Sequence, residues 1–428
     1  MDELGLIRGA QAPSVRIIGG GLTGILAAFE AHRLGCRRIE LHERFDQLGG
    51  SAWPRRDHGL ELRPERLYFG QAGDPARALL EANGLAFEDF ENRFGSVSPA
   101  PGGDLVFTHD FEGPALRTRK LDLGPVTGDS LADRIRAYPH DIAQQLTRYS
   151  QWALGAWLDE VSAEAAMPLG IKRVHATQIE TCELARAKRA DPVYDGMYGI
   201  PRALWGRLQN LTASLPAEGF QTFFQRCRAA LERLGVTIHT ASMVSPQRAF
   251  AAREAGELVV WAADPTPLFS PLDLEPPRRL AKSLVSYIFK ARYAGPLPFH
   301  VRNFTAEGAV FRIHLYECRG QALLSAECVA EVSDSDLRRE VHRLMSGFGG
   351  ASLHLDETLS IQIEPRWGQH SVDAARKLSN LHGALARSQG ASFVAGAWEA
   401  QNPSASLAEI SVSLVRALDL QQAEAVAA

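Results

Sequence analysis

The chain has 428 residues, 45% of them hydrophobic and 22% charged, with a formal net charge of −4. That balance fits a globular chain long enough for two domains or one large interleaved unit, and it excludes a strongly basic nucleic-acid surface or a low-complexity polymer. No apolar run approaches the roughly 18 residues of a membrane span.

The first residues, MDELGLIRGAQAPS, carry Asp2 and Glu3 and lack a basic region followed by an apolar run. No secretory leader and a cytoplasmic location are therefore expected. The cysteines Cys36, Cys182, Cys227, Cys318 and Cys328 are odd in number and contain no CxxC pair. Reduced, mostly buried thiols are expected, with no disulfide framework and no metal site.

From Val15 to Ile18 a short apolar run ends at Gly19 and reads as a strand. Leu22, Ile25, Leu26, Phe29 and Leu34 then recur at helical spacing, with Gly35 as the stop. RRIELHE (37–43) reads as a second strand, so the opening is a βαβ unit, which implies a parallel sheet. Residues 96–130 are rich in Gly, Pro, Asp and Thr and read as short strands and turns, whereas 131–168 read as helical. Residues 219–244 give a helix, a glycine stop at Gly235 and a strand, and ELVVWAAD (257–264) is a buried strand. Between 283 and 332, SLVSYIFKARY, VFRIHLYEC and ALLSAECVA alternate as strands of an antiparallel sheet. SDSDLRREVHRLMSGFG is a capped helix, and the chain closes as strand, loop and helix.

Gly19, Gly21 and Gly24 fit G-x-G-x-x-G between a strand and a helix. The first glycine permits the tight turn, the second lets backbone approach a pyrophosphate, and the third lets the helix lie close on the strand. The helix N-terminus adds free N–H groups and the positive end of its dipole. Glu43 follows Gly24 by 19 residues, at the end of the second strand, where a carboxylate can accept from a ribose 2′-OH. Its charge disfavours a 2′-phosphate.

After Glu43 the sequence runs RFDQLGGSAW. This resembles the extended dinucleotide motif of the FAD-dependent superfamily of amine oxidases, protoporphyrinogen oxidases and UDP-galactopyranose mutases, with Gly49 and Gly50 as its glycine pair. AEGFQTFFQRCRAALERLGVTIHTASMV is similar to the stretch whose strand end touches adenine, making Met243 and Val244 candidates. FVAGAW followed by SASLAEISVSLVRAL resembles the C-terminal flavin segment. The resemblance implies noncovalent FAD held by Gly19, Gly21, Leu22, Thr23, Gly24, Glu43, Arg44, Gly49, Gly50, Ser51, Val244, Gly396, Ser406 and Leu407. It implies an α/β architecture: a discontinuous Rossmann-like dinucleotide-binding domain (13–75, 215–265, 385–420) interleaved with an α+β substrate domain (76–214, 266–384).

GPLPFHVRNF resembles a substrate-domain strand whose arginine faces the flavin. Arg302 is thus a candidate to bind substrate, and His300, on the same strand face, a candidate acid or base. Trp367 could line the flavin edge. AEAAMPLGIKRVHA is similar to a mutase segment, but Ala397 stands where the mutase has an arginine, and EAQNPSA lacks its diphosphate-binding tyrosines. The expected activity is hydride transfer from a small polar metabolite to FAD. A redox-neutral mutase on a nucleotide-linked sugar and a non-catalytic flavin-binding scaffold are the rivals. A small-molecule substrate and a possible homodimer complete the expectation.

Overall fold

The computed structural model describes residues 14–57, 59–62, 67–100, 102–109, 128–175, 179–200, 212–278, 280, 282–365, 370–400 and 402–427. Two sheets organise it. The first has five parallel strands in the order Thr237–His239, Arg38–His42, Ser14–Ile18, Leu258–Trp261 and Phe393–Ala395. Its strands are short, and the central ones, Ser14–Ile18 and Leu258–Trp261, are largely apolar because helices cover both faces.

On one face lie helix Leu22–Arg33, helix Gly219–Arg233 and the C-terminal helix Pro403–Ala427. Phe220, Phe223, Phe224, Cys227 and Leu231 recur at helical spacing and are buried there, as are Leu407, Ile410, Leu414 and Leu418. Glu30 joins two of these helices: it takes both Arg33 Nε and Nη2 at 2.7 Å and the Ser411 hydroxyl at 2.5 Å. On the other face, Ala249, Leu378, Leu381 and Leu385 of helices Pro246–Glu254 and Val372–Gln389 pack on Val259, Trp261 and Phe393.

The second sheet has seven strands, ordered His354–Pro365, Ser283–Arg292, Gln321–Cys328, Val310–Cys318, Phe299–Asn303, Arg93–Pro99 and Leu105–His109. One face is apolar: Val285, Phe289, Phe299, Val301, Ile313, Leu315 and Leu324 pack with Leu337, Val341 and Leu344 of helix Asp334–Met345. The opposite face is buried yet polar, carrying Ser96, Ser286, His300, Arg302, His314, Ser325 and Glu327. Part of it is covered by the helical segment 131–200, whose Tyr149, Leu146 and Leu169 pack with Phe304 and Phe311.

The helix expected over 131–168 is interrupted. It is Leu131–Arg136 and His140–Leu154, because Pro139 begins the second helix and Gly155, at φ +61°, ends it. The 12-residue strand His354–Pro365 had no clear sequence signal, since it is an edge strand with Ile361 and Ile363 exposed. Of the turn-rich 96–130 stretch, the strands up to His109 are described and 110–127 lie outside the described residues.

Candidate cofactor-binding site

A cavity of about 790 Å³ opens at the carboxyl ends of the parallel strands. Ile18, His42, Glu43, Trp261 and Ala263 line it from the strand ends, and Leu22 and Thr23 from the first helix. Asn402, Pro403 and Ser406 line it from the start of the C-terminal helix. In an open α/β sheet this crevice is where ligands bind. Two helix N-termini therefore open on one cavity, each with first-turn N–H groups that have no acceptor in their own helix. Asn402 starts the C-terminal helix: its Oδ1 accepts from Ala405 N (2.9 Å) and its carbonyl from Ser406 N (3.1 Å).

The three motif glycines have separate physical reasons. A Cβ on Gly24 would lie 1.8 Å from the Gly19 carbonyl oxygen, so this glycine sets the helix-to-strand approach and does not line the cavity. At Gly21 the nearest atom to such a Cβ is Gly50 Cα at 4.0 Å, so a side chain there would enter the cavity itself. Gly19 turns at φ +105° against Ala263. The Gly49–Gly50 pair packs on the phosphate-type loop: Gly49 N donates to Gly20 O (2.8 Å), and a Cβ on Gly50 would stand 3.1 Å from Gly21 Cα. Gly49, Gly50 and Ser51 also line the cavity.

Glu43 is 5% exposed. Its Oε2 accepts from Gly20 N (2.7 Å) and its Oε1 from Phe45 N (2.9 Å). A carboxylate has about four lone-pair sites, so capacity remains for a ribose hydroxyl while the loop is held in shape. Arg44, Met243 and Val244 complete this wall.

Besides Gly24, two expected cofactor residues stand back from it. Gly396 donates its N–H to Trp261 O at 2.8 Å, and a Cβ there would come 2.6 Å from that oxygen, so it closes the sheet edge. Leu407 is buried in the core beneath the helix N-terminus, since the turn that exposes Ser406 to the cavity carries Leu407 inward.

Arg302 and His300 share a strand face but not a site, and neither lines the cavity. The Arg302 guanidinium lies over the Phe311 ring (4.6 Å to the centroid), and its Nη2 donates to Pro168 O at 3.0 Å. Burial pushes its pKa below the ordinary guanidinium value. It binds the seven-stranded sheet to the helical segment above it. His300 is fully buried and has different partners. Its Nε2 is 2.7 Å from Tyr68 Oη, and its ring stacks on His314 at 4.2 Å. His314 Nε2 reaches the same hydroxyl at 3.2 Å. One hydroxyl thus joins two imidazoles, able to donate to one and accept from the other. Tyr68 follows Leu67, a cavity-lining residue. Nearby, Glu327, 1% exposed, forms a buried ion pair with Arg312, whose Nη2 donates to Oε1 at 2.6 Å. Tyr68, His314, Arg312 and Glu327 were not singled out by sequence; period-2 alternation in VFRIHLYEC put Arg312 and His314 on one face, but their partners lie on other strands. Trp367 lies outside the described residues.

No protein-family model matches the chain. A curated relative, tryptophan 2-monooxygenase of Pantoea agglomerans pv. gypsophilae, is 51% identical over 45 residues, 10% of this chain and 8% of that protein. Solved structures match almost end to end. A reduced UDP-galactopyranose mutase superposes with a TM-score of 0.61 at 13% identity, over 96% of each chain. A candidate protoporphyrinogen oxidase from Exiguobacterium sp. 255-15 gives 0.59 at 15% identity, over 96% of this chain and 100% of that one. Cyclohexylamine oxidase from Brevibacterium oxydans IH-35A gives 0.58 at 13% identity, with the same coverage. The fold is the Rossmann-like, two-sheet fold that these solved structures share, as the sequence resemblance implies. Among the described residues no helix is long and apolar enough to cross a membrane.

Proposed function

From a chain with the FAD-binding fold of the amine oxidase superfamily, we propose an FAD-dependent oxidoreductase that removes hydride from a small polar metabolite. The observation that carries this is the cavity at the strand ends, where two helix N-termini, the open position at Gly21 and the Glu43 carboxylate converge. Donor N–H groups suit a pyrophosphate, the acid suits a ribose, and the missing Cβ at Gly21 leaves room for backbone approach. FAD, when bound, supplies a two-electron acceptor next to the donor carbon.

The chain's own residues then have distinct parts. Segments 13–75, 215–265 and 385–420 hold the cofactor, joined by helix Val372–Gln389, which packs on the same sheet. The remainder of 76–214 and 266–384 forms the substrate side. The Tyr68 hydroxyl, between His300 and His314, holds a mobile proton on the residue that follows the cavity-lining Leu67. Arg302 is a positioning residue that fixes the His300 strand against residues 168–170.

The test is spectroscopic. The purified chain is expected to carry one noncovalent FAD, released on denaturation, and to bleach anaerobically with amine or alcohol donors. Turnover only after prior reduction, with no reductant consumed, would instead establish redox-neutral chemistry. Tyr68→Phe is expected to shift the pH profile of turnover while flavin content stays constant; an unchanged profile would remove Tyr68 from the reaction.

A further inference from the structure

At the edge of the five-stranded sheet three side chains meet on one face. Glu40 and His42 are two residues apart on one strand and therefore point the same way. His239 is in register with His42 on the neighbouring parallel strand. The two imidazoles stack at 4.6 Å between centroids, 17° from parallel. We propose that Glu40, His42 and His239 bind a divalent transition ion of the zinc class.

The geometry is close to what such an ion needs. Two ligands on one tetrahedral zinc stand about 3.4 Å apart when each bond is about 2.1 Å. His42 Nε2 and Glu40 Oε2 are 3.4 Å apart. One ligand atom from each of the three residues lies within 4.8 Å of the others. A point central to such a triangle is at most about 2.8 Å from each corner, so side-chain rotation of well under 1 Å brings all three to bonding distance. Two imidazoles and a carboxylate select zinc, cobalt, nickel or copper over calcium or magnesium.

The surroundings supply the outer shell. His42 Nδ1 lies 3.1 Å from the Ser242 hydroxyl, which fixes the ring so that Nε2 faces Glu40. Arg16 Nη2 contacts Glu40 Oε2 at 3.2 Å, but Arg16 also holds Glu257 through Nε (3.1 Å) and Nη2 (3.2 Å). It can therefore remain with Glu257 when Glu40 turns to a metal. Three protein ligands leave a fourth position for water. The ion would tie His239 to residues 40–42, of which His42, with the adjoining Glu43, lines the cofactor cavity.

The experiment uses the full chain as purified, stripped with chelator and titrated with ZnCl2 by calorimetry and with CoCl2 by visible absorption. One ion per chain is expected, with cobalt bands of a tetrahedral nitrogen and oxygen site. His239→Ala and Glu40→Gln, which lie on different strands, are each expected to weaken binding at least tenfold, with folding checked by circular dichroism. Zinc should raise the thermal midpoint of the wild type and leave that of His239→Ala unmoved. No stoichiometric binding by the wild type, or binding that both variants retain in full, overturns the assignment.

Discussion

Gly24 and Gly21 belong to one motif, but the structure assigns them opposite jobs, and alanine at each should separate those jobs. At Gly24 a methyl group would sit 1.8 Å from the Gly19 carbonyl oxygen. An ordinary carbon–oxygen contact is about 3.3 Å, so the helix would have to retreat from the strand by more than 1 Å, against backbone that no rotamer change can relieve. Overpacking costs about 1–3 kcal/mol where side chains can adjust, and here the obstacle is main chain, so Gly24→Ala should cost at least about 3 kcal/mol. That is on the order of a hundredfold in the folded-to-unfolded ratio. At Gly21 the backbone is extended (φ −68°, ψ 179°) and the nearest atom is 4.0 Å away. Gly21→Ala should therefore leave the stability of the flavin-free chain within about 1 kcal/mol. Its methyl points into the cavity, and FAD affinity should fall at least tenfold. The assay is urea unfolding of the flavin-free variants beside a fluorescence titration with FAD. If Gly24→Ala unfolds like the wild type, or if Gly21→Ala binds FAD undiminished, the division of labour is wrong.

Glu43→Gln keeps shape but replaces one acceptor oxygen by an NH2 group, so either Gly20 N or Phe45 N faces a donor. A loss of about 1–3 kcal/mol in stability, with weaker FAD binding, is expected in the same two assays. Glu30 tests acid sensitivity. Burial raises its pKa, but the Arg33 and Ser411 hydrogen bonds outweigh that and hold it below its ordinary value of 4.5. Its folded pKa is depressed, so its stabilisation is complete above pH 4.5 and disappears as pH falls through the folded pKa; Glu30→Gln should flatten the acid limb of the stability curve. Thiol labelling of the native chain should modify Cys182, which is exposed, before the buried Cys36, whose pKa is pushed up to about 11 by burial. Mass spectrometry of peptides after brief alkylation at pH 8 checks the order.

Residues 15–51 were the most legible part of the sequence because their requirements are local. A glycine turn, a helix start and a strand-end acid are read from spacing alone, and all meet within a single βαβ unit. The helix and strand of 219–244 were legible for the same reason. What escaped was decided at long range. Arg302 and His300 alternate correctly, yet what each touches depends on Pro168, Phe311, Tyr68 and His314, which only sheet register and chain crossings bring near. Gly396 and Leu407 were placed within a few residues of the cavity, but a one-residue step along a strand end or helix turn exchanges wall for core. The Glu40, His42 and His239 cluster was invisible for a related reason: 197 positions separate its last two members, and a search by cysteine spacing passes over it.

The strand order of the parallel sheet also bears on how the protein is made. Its outer strand, Phe393–Ala395, and the second helix aimed at the cavity, from Pro403, lie far along the chain from the glycine loop at Gly19–Gly24. A nascent chain that has exposed only its first 390 residues offers the glycine loop and Glu43, but just one of the two helix ends. Such long-range closure is slow, and the incomplete sheet presents Leu258–Trp261 as an unpaired edge in the meantime. Cofactor capture is thereby deferred until the helix from Pro403 has been made, and a chain cut short of that helix lacks one of the two helix ends that line the pocket.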